Sequence, residues 1–263
     1  MFQVTTAQTA QFQKDGYLLV ENLYDAEEMD LLLRIGKADQ EKAATVHAPK
    51  DAEGRESKLW LTADTERQDI YNACCHGHRM VDTMGKLLGD EVYLYHYKMM
   101  VKEPRVGGAW EWHQDFGYWY SGFLFPDMGS CMIAVDRAHK KNGCLQVLAG
   151  SHRMGRLTHG TVGDQTGIDP DRVAVVEDQF ERVYCEMTPG TVLFFHSNLL
   201  HRSDANLSPD PRWALICCYT TIDNTPFNEG AIGDFTKFDR WDADRVDQAV
   251  GEHGKRLASE AGA

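Results

Sequence analysis

The stretch EWHQDFGYWY, residues 111–120, sets a histidine and an aspartate one residue apart and follows them with Phe116, Tyr118, Trp119 and Tyr120. Residues i and i+2 of a strand point to the same face. An extended backbone here would therefore hold the His113 imidazole beside the Asp115 carboxylate. Such a pair serves as half of a metal site, or as a polar pair on the solvent face of a sheet. A third ligand from a distant strand would decide between the two. The stretch TVLFFHSNLLHRSDANLSPDPRWALICCY offers His201, which follows an apolar run and falls at a strand end, with His196 as a rival donor in the same stretch.

Two histidines and one carboxylate on one face of a metal form the facial triad of non-haem Fe(II) oxygenases. The same ligand types also suit a four-coordinate zinc hydrolase. A partner for a cosubstrate separates the two readings. Ser203 lies two residues beyond His201, and Arg212 opens the next apolar run. An arginine aimed into a barrel pocket is costly unless a carboxylate meets it, and its planar fork binds carboxylates bidentately. A dicarboxylate that chelates iron at one end and meets Arg212 and Ser203 at the other accounts for all of these residues. 2-Oxoglutarate is such a molecule.

The elements that must position these side chains come in two blocks. Residues 5–15 read as a helix and GYLLVENL as a strand; Asp25 with Glu28 forms a capping-box pattern ahead of an amphipathic run. Residues 44–57 read as a surface loop, and a helix is expected across 66–88, closing near Gly89. His76 and His78, in this helical half, are expected to be exposed. From EVYLYHYKMMVKEP onward, β-branched and aromatic runs alternate with turn signals. Asn142-Gly143 between two such runs is a hairpin signal, and 154–182 is a long acidic connection of the kind that serves as a lid. His152 and His159 read as hydrogen-bonded loop residues, and the tail after 239 as an exposed, partly helical end. Helices followed by many strands, without βαβ alternation, predict an α+β, mainly β domain built on an antiparallel sandwich or barrel.

Composition narrows the function classes. The chain has 263 residues and is 43% hydrophobic, enough for one large core. Its net charge of −13 argues against nucleic-acid or anionic-membrane partners. No apolar run approaches the ~20 residues of a bilayer span, and the first residues lack the basic and apolar regions of a signal peptide. The expectation is a cytoplasmic enzyme with a small-molecule substrate. Seven cysteines occur without a CxxC pair and read as reduced, non-catalytic thiols.

HxD at 113–115 with His201, Ser203 and Arg212 resembles the phytanoyl-CoA dioxygenase family of Fe(II)/2-oxoglutarate oxygenases, as do DGYLLVENL near the start and NGCLQVLAGSHRMGRL at 142–157. The resemblance covers roughly residues 10–225. It implies a double-stranded β-helix (a cupin-like jelly roll) with flanking helices, in one domain spanning 1–263: a helical part to about 90, a core over 91–225 and a tail from 226. Carried over by position, it implies iron on His113, Asp115 and His201, and the distal 2-oxoglutarate carboxylate on Ser203 and Arg212. Lys98 and Trp119 fall where relatives line the cosubstrate pocket. Ala149 departs from the proline common at that turn. The implied reaction is hydroxylation of an unactivated C–H bond by O2, with release of succinate and CO2. Asp115 favours hydroxylation, since halogenating relatives carry a small residue there. Tyr118, Gln146 and Arg153 are the candidate substrate contacts. With no basic cluster for a CoA moiety, the expected substrate is a small polar metabolite such as an amino acid, ectoine or an aminophosphonate. The specific expectation is 2-aminoethylphosphonate, oxidised at the carbon next to phosphorus. A zinc-dependent hydrolase and a non-catalytic binding barrel remain the alternatives from other classes.

Overall fold

The computed structural model describes residues 2–42, 46–61, 67–228 and 240–261. Local signals start and stop its first helices. Helix α1 (Thr6–Asp15) opens with a reciprocal Thr5/Gln8 capping box and closes at Gly16, whose φ of 80° suits glycine. After strand β1 (Tyr17–Val20), α2 (Ala26–Lys42) begins as its sequence predicts: the Glu28 N–H donates to Asp25 Oδ1, and the Asp25 N–H to the Glu28 carboxylate, both at 2.9 Å.

The expected surface loop over 44–57 is anchored instead, in the part that lies within the described residues. Its Asp51 is 3% exposed and accepts backbone N–H groups from Glu53, Arg55 and Ala109, which ties the loop to the chain just ahead of His113. Strand β2 (Lys58–Leu61) follows. The single helix expected over 66–88 is two, α3 (Ile70–His76) and α4 (His78–Leu88), with residue 66 outside the described residues. Gly77 breaks it with an extended backbone. His76 is buried against Trp241, ring centroids 5.1 Å apart, and His78 is half-buried; neither stands free in solvent.

The second block carries β3 (Val92–Lys102), β4 (Trp110–His113), α5 (Asp115–Trp119), β5 (Met128–Ala134), β6 (Leu145–Leu148), β7 (His159–Val162), β8 (Gln165–Ile168), α6 (Pro170–Glu177), β9 (Arg182–Cys185), β10 (Val192–His196), β11 (His201–Ser203), β12 (Arg212–Thr221) and α7 (Ala243–Ala261). A six-stranded sheet runs β1-β10-β5-β12-β3-β2 and a four-stranded sheet β4-β11-β6-β9, with antiparallel pairing throughout. The two sheets enclose an apolar interior, the arrangement of a double-stranded β-helix.

Strand β12 shows how this places chemistry. Trp213, Leu215, Cys217 and Tyr219 pack outward with α2, α3 and α4, whereas Ala214, Ile216 and Cys218 face the interior. Arg212 shares the interior parity. Burying a side chain the size of Leu215 contributes about 1.5–3 kcal/mol. Both faces of the strand are buried, so a slip by one residue would mispack the two against their partners and turn Arg212 out of the barrel.

Three further expectations are corrected. Asn142-Gly143 does not close a hairpin: it is a corner at which the chain leaves the six-stranded sheet after β5 and enters the four-stranded sheet with β6, Gly143 having φ 76°. The long connection over 154–182, expected as a lid-like loop, carries regular structure, the β7–β8 hairpin and α6. The tail is only partly exposed: Trp241, Val246 and Ala249 bury one face against Ala73 of α3. Among the described residues no helix is long and apolar enough to cross a membrane, and all seven cysteines are free and buried.

Candidate active site

His113 ends β4 and His201 begins β11, directly opposite it in the antiparallel register. Their ring centroids lie 4.1 Å apart. Asp115 does not continue the strand, as the i, i+2 reading predicts. The chain turns after Gln114, and Asp115 opens the short helix α5, with the Phe116 N–H donating to Ser197 O at 3.0 Å. That turn brings Asp115 Oδ1 to 3.7 Å from Nε2 of both histidines. These separations exceed a hydrogen bond and fit three donors arranged around one ion. One ligand atom from each residue lies within 4.8 Å of the others, and among the described residues this is the His/Cys/Asp/Glu group able to hold a metal.

The donors are oriented. His113 Nδ1 is 2.6 Å from Glu111 O and His201 Nδ1 is 2.9 Å from Leu199 O, so each Nδ1–H donates to a carbonyl and each Nε2 presents its lone pair inward. Burial, with His201 close by, pushes the His113 pKa well down and keeps it neutral, as a ligand must be. Ser130 Oγ, from β5, donates to Asp115 Oδ2 at 2.5 Å, leaving Oδ1 to the metal position. The two imidazoles and the carboxylate therefore fit iron(II).

The cavity beside the triad is walled by apolar side chains, including Met132, Leu145, Phe195 and Ile216, and admits Lys98 and Ser203. A wider groove, about 930 Å3, lies elsewhere, between the Asp51 loop and residues 204–209, and holds no triad residue. Arg212 is 1% exposed. Its Nη1 donates to Gly143 O at 2.7 Å, its Nη2 faces only the Met100 sulfur at 3.4 Å, and its Nε has no partner. Met100 itself lines the cavity. A buried guanidinium held by one carbonyl and a thioether lacks the anion its geometry suits, and the distal carboxylate of 2-oxoglutarate fits that need.

The remaining candidates divide. Tyr118 stands beside the triad, its ring 5.4 Å from His113, with its hydroxyl donating to Thr166 O of β8 at 2.6 Å. Trp119 is buried against Tyr95 and His96 rather than in the cavity wall. Gln146 is a correction: it alternates with the inward Leu145 and Val147, and its Nε2 donates to Asp204 Oδ2 at 2.6 Å on the outer side of the sheet. Arg153 is a second correction, an exposed residue whose Nε reaches Gly150 O of its own turn. The rival His196 sits outside the triad, facing His152. His152 is a hydrogen-bonded turn residue on Gln13 O, whereas His159 opens β7, with Nδ1 on Leu157 O and Nε2 accepting the Gln114 N–H.

Sequence reading missed Ser130 and Gln114. Gln114, fully buried between the two ligands, donates to Gly155 O and Asn198 O and accepts from the Leu157 N–H. A hydroxyl inside the apolar run MGSCMIA was the available signal for Ser130; Gln114 gave none.

A jelly roll that presents two imidazoles, one carboxylate and a buried arginine behind its cavity wall defines a non-haem iron, 2-oxoglutarate-dependent dioxygenase. A family model described as Phytanoyl-CoA dioxygenase (PhyH) matches residues 12–214, and the chain belongs to that family. It is 27% identical over 236 residues to the ectoine dioxygenase of Sphingopyxis alaskensis, covering 84% of this chain and 77% of the relative. It is 29% identical over 178 residues to the L-proline trans-4-hydroxylase of Streptomyces griseoviridis, covering 60% of this chain and 66% of that enzyme. The crystal structure of EctD from S. alaskensis with 2-oxoglutarate and 5-hydroxyectoine superposes with a TM-score of 0.71 at 26% identity, over 84% of this chain and 77% of that one. The same protein with bound Fe gives 0.69 at 26% identity, over 84% and 78%.

Proposed function

We propose that this enzyme hydroxylates an unactivated C–H bond of a small zwitterion bearing a carboxylate, of the ectoine or cyclic amino-acid kind. The Lys98 ammonium inside the cavity carries the reading. Iron(II) is balanced by Asp115 and the chelating carboxylate of 2-oxoglutarate, and Arg212 by the distal one. Lys98 is left for an anionic group on the substrate, rather than for the cosubstrate pocket that the resemblance implies. Around it the wall is apolar, which suits the carbon skeleton of such a molecule. Support also comes from the relatives, named for ectoine and proline.

In this reading His113, Asp115 and His201 hold the iron, and Ser130 fixes the Asp115 carboxylate. Bound iron(II) with 2-oxoglutarate supplies O2 activation coupled to decarboxylation, giving succinate, CO2 and one oxygen atom for the substrate. Ser203 and Arg212 orient the cosubstrate through its distal carboxylate. Met132, Phe195 and Ile216 keep water from the reacting carbon, and Tyr118 borders the substrate. A phosphonate dianion asks for more donors than one ammonium. Arg137, Arg153 and Arg156, the arginines that could have met it, are exposed, so 2-aminoethylphosphonate ranks behind the carboxylate zwitterions. The whole chain acts as one catalytic unit, and its reduced thiols suit the cytoplasm.

The test is succinate release coupled to product mass with ectoine, proline, taurine, 2-aminoethylphosphonate and phytanoyl-CoA. Turnover of a carboxylate zwitterion, lost in Lys98→Met, is the expected result. Turnover of phytanoyl-CoA alone, or hydrolysis without 2-oxoglutarate and O2, overturns it.

A further inference from the structure

Beside Arg212 stands a second fully buried cation that the mechanism above does not use. Lys102, the last residue of β3, is directly opposite Arg212 in the β3–β12 register and is 0% exposed. Like charges directly opposite across a strand pair are destabilising, the more so with both desolvated. Among the described residues no carboxylate is within ion-pair distance of either side chain; Asp204 and Asp51 act on Lys102, and Asp136 on Arg212, from further away. Both converge on Gly143: Arg212 donates to its carbonyl, and a methyl group placed on Gly143 would come within 3.3 Å of Lys102 Cδ.

What Lys102 does hold is backbone. Its Nζ donates to Gly108 O at 2.5 Å and Asp204 O at 2.7 Å, with Ser203 O at 3.5 Å. Those carbonyls lie where the β4–β11 ladder ends, just past the Ser203–Trp110 pair. One ammonium thus staples the entry of the strand bearing His113 to the exit of the strand bearing His201 and Ser203. It does so at the Ser203 end of the cavity, where Arg212 stands behind the lining residue Met100.

We propose that Lys102 is a positioning residue for the distal-carboxylate subsite: it sets the Ser203 backbone against Arg212 and, with Arg212, presents a positive field that an incoming carboxylate neutralises. This rests on the reading of Ser203 and Arg212 as the holders of that carboxylate. Burial, then the Arg212 charge, push the Lys102 pKa well down in the ligand-free site, and a carboxylate bound beside Arg212 relieves that repulsion. The subsite is thereby tuned to a dicarboxylate and against a 2-oxo acid that lacks the second carboxylate.

The experiment compares binding of 2-oxoglutarate and 2-oxobutyrate to Mn(II)-loaded protein by calorimetry, in wild type, Lys102→Met, Lys102→Gln and Arg212→Met. The expected result for both Lys102 variants is a tenfold or greater loss of 2-oxoglutarate affinity. Affinity for 2-oxobutyrate and for Mn(II) should stay within twofold, so that discrimination between the two acids falls by the same factor. Equal loss for both acids, no loss for either, or failure of both variants to fold or bind Mn(II) would make Lys102 a scaffold residue and overturn the proposal. Arg212→Met separates the two layers. If that variant keeps full discrimination, the reading of Arg212 fails; if it loses discrimination while the Lys102 variants keep it, only the Lys102 inference fails.

Discussion

Replacing Arg212 by methionine should separate binding from stability. In the ligand-free protein the guanidinium is 1% exposed, and burial pushes its pKa down to about 10. It is repaid by one good hydrogen bond, to Gly143 O at 2.7 Å. Losing a hydrogen bond from a charged group costs about 1.5–3 kcal/mol, while relieving the desolvation of a buried ion returns several kcal/mol. Methionine fills most of the volume, so the ligand-free variant should melt at the wild-type temperature or above. With 2-oxoglutarate the balance reverses, because the charge-assisted contact to the carboxylate is lost. About 1.5–3 kcal/mol corresponds to a roughly 10- to 150-fold weaker Kd. Thermal melts of ligand-free protein, paired with calorimetric titration of Mn(II)-loaded protein, read both quantities. A variant that loses several kcal/mol of stability yet binds 2-oxoglutarate normally would show that Arg212 serves the core, and would refute the assignment.

Three further outcomes follow from the geometry. Ser130→Ala removes the 2.5 Å hydrogen bond to Asp115 Oδ2 and should lower iron affinity about 10- to 100-fold; an unchanged iron titration would mean that the carboxylate needs no such support. Gln114→Leu strands the buried Asn198 carbonyl and takes the partner from the Gly155 carbonyl and the Leu157 N–H, which water can reach. At about 1–3 kcal/mol for the one buried unsatisfied group, the urea midpoint should report a loss in that range, and no loss would show that the loops simply re-solvate. His196 is held neutral, its pKa pushed down to about 4 by burial and by His152. The unfolded chain, titrating near 6.5, binds more protons in between. This contribution is therefore complete above pH ~6.5 and falls away as pH drops toward ~4, by up to about 3 kcal/mol. Urea melts of metal-free protein across that window should show the slope, shared with His96, His113 and His253, which burial also depresses; His196→Asn should lessen it, and an identical slope in the variant would rule His196 out as a source.

Much of the site was legible because its chemistry resides in residue types and short periods. His113, Asp115 and His201 announce a metal by their donors, and an arginine at the head of the apolar run WALICCY announces a buried anion. The helix starts at Thr5 and Asp25 were legible too, since a capping box closes within four residues of chain. Other features needed the fold. Alternation says that Leu145 and Gln146 face opposite ways, but only the stacking of the two sheets makes Leu145 the inner one. Asn142-Gly143 has the backbone of a turn in either reading; whether β6 pairs back onto β5 or crosses to β11 is settled by long-range partners. Asp115 reaches the histidines through a helical turn that Phe116 anchors on Ser197, a residue distant in the chain. Ser130 and Lys102 gain their roles solely from the strands set against them. Local sequence determines backbone conformation and the period of exposure. The face turned inward, and the partner met there, depend on contacts between distant segments, which form only when the two sheets close over their shared apolar interior.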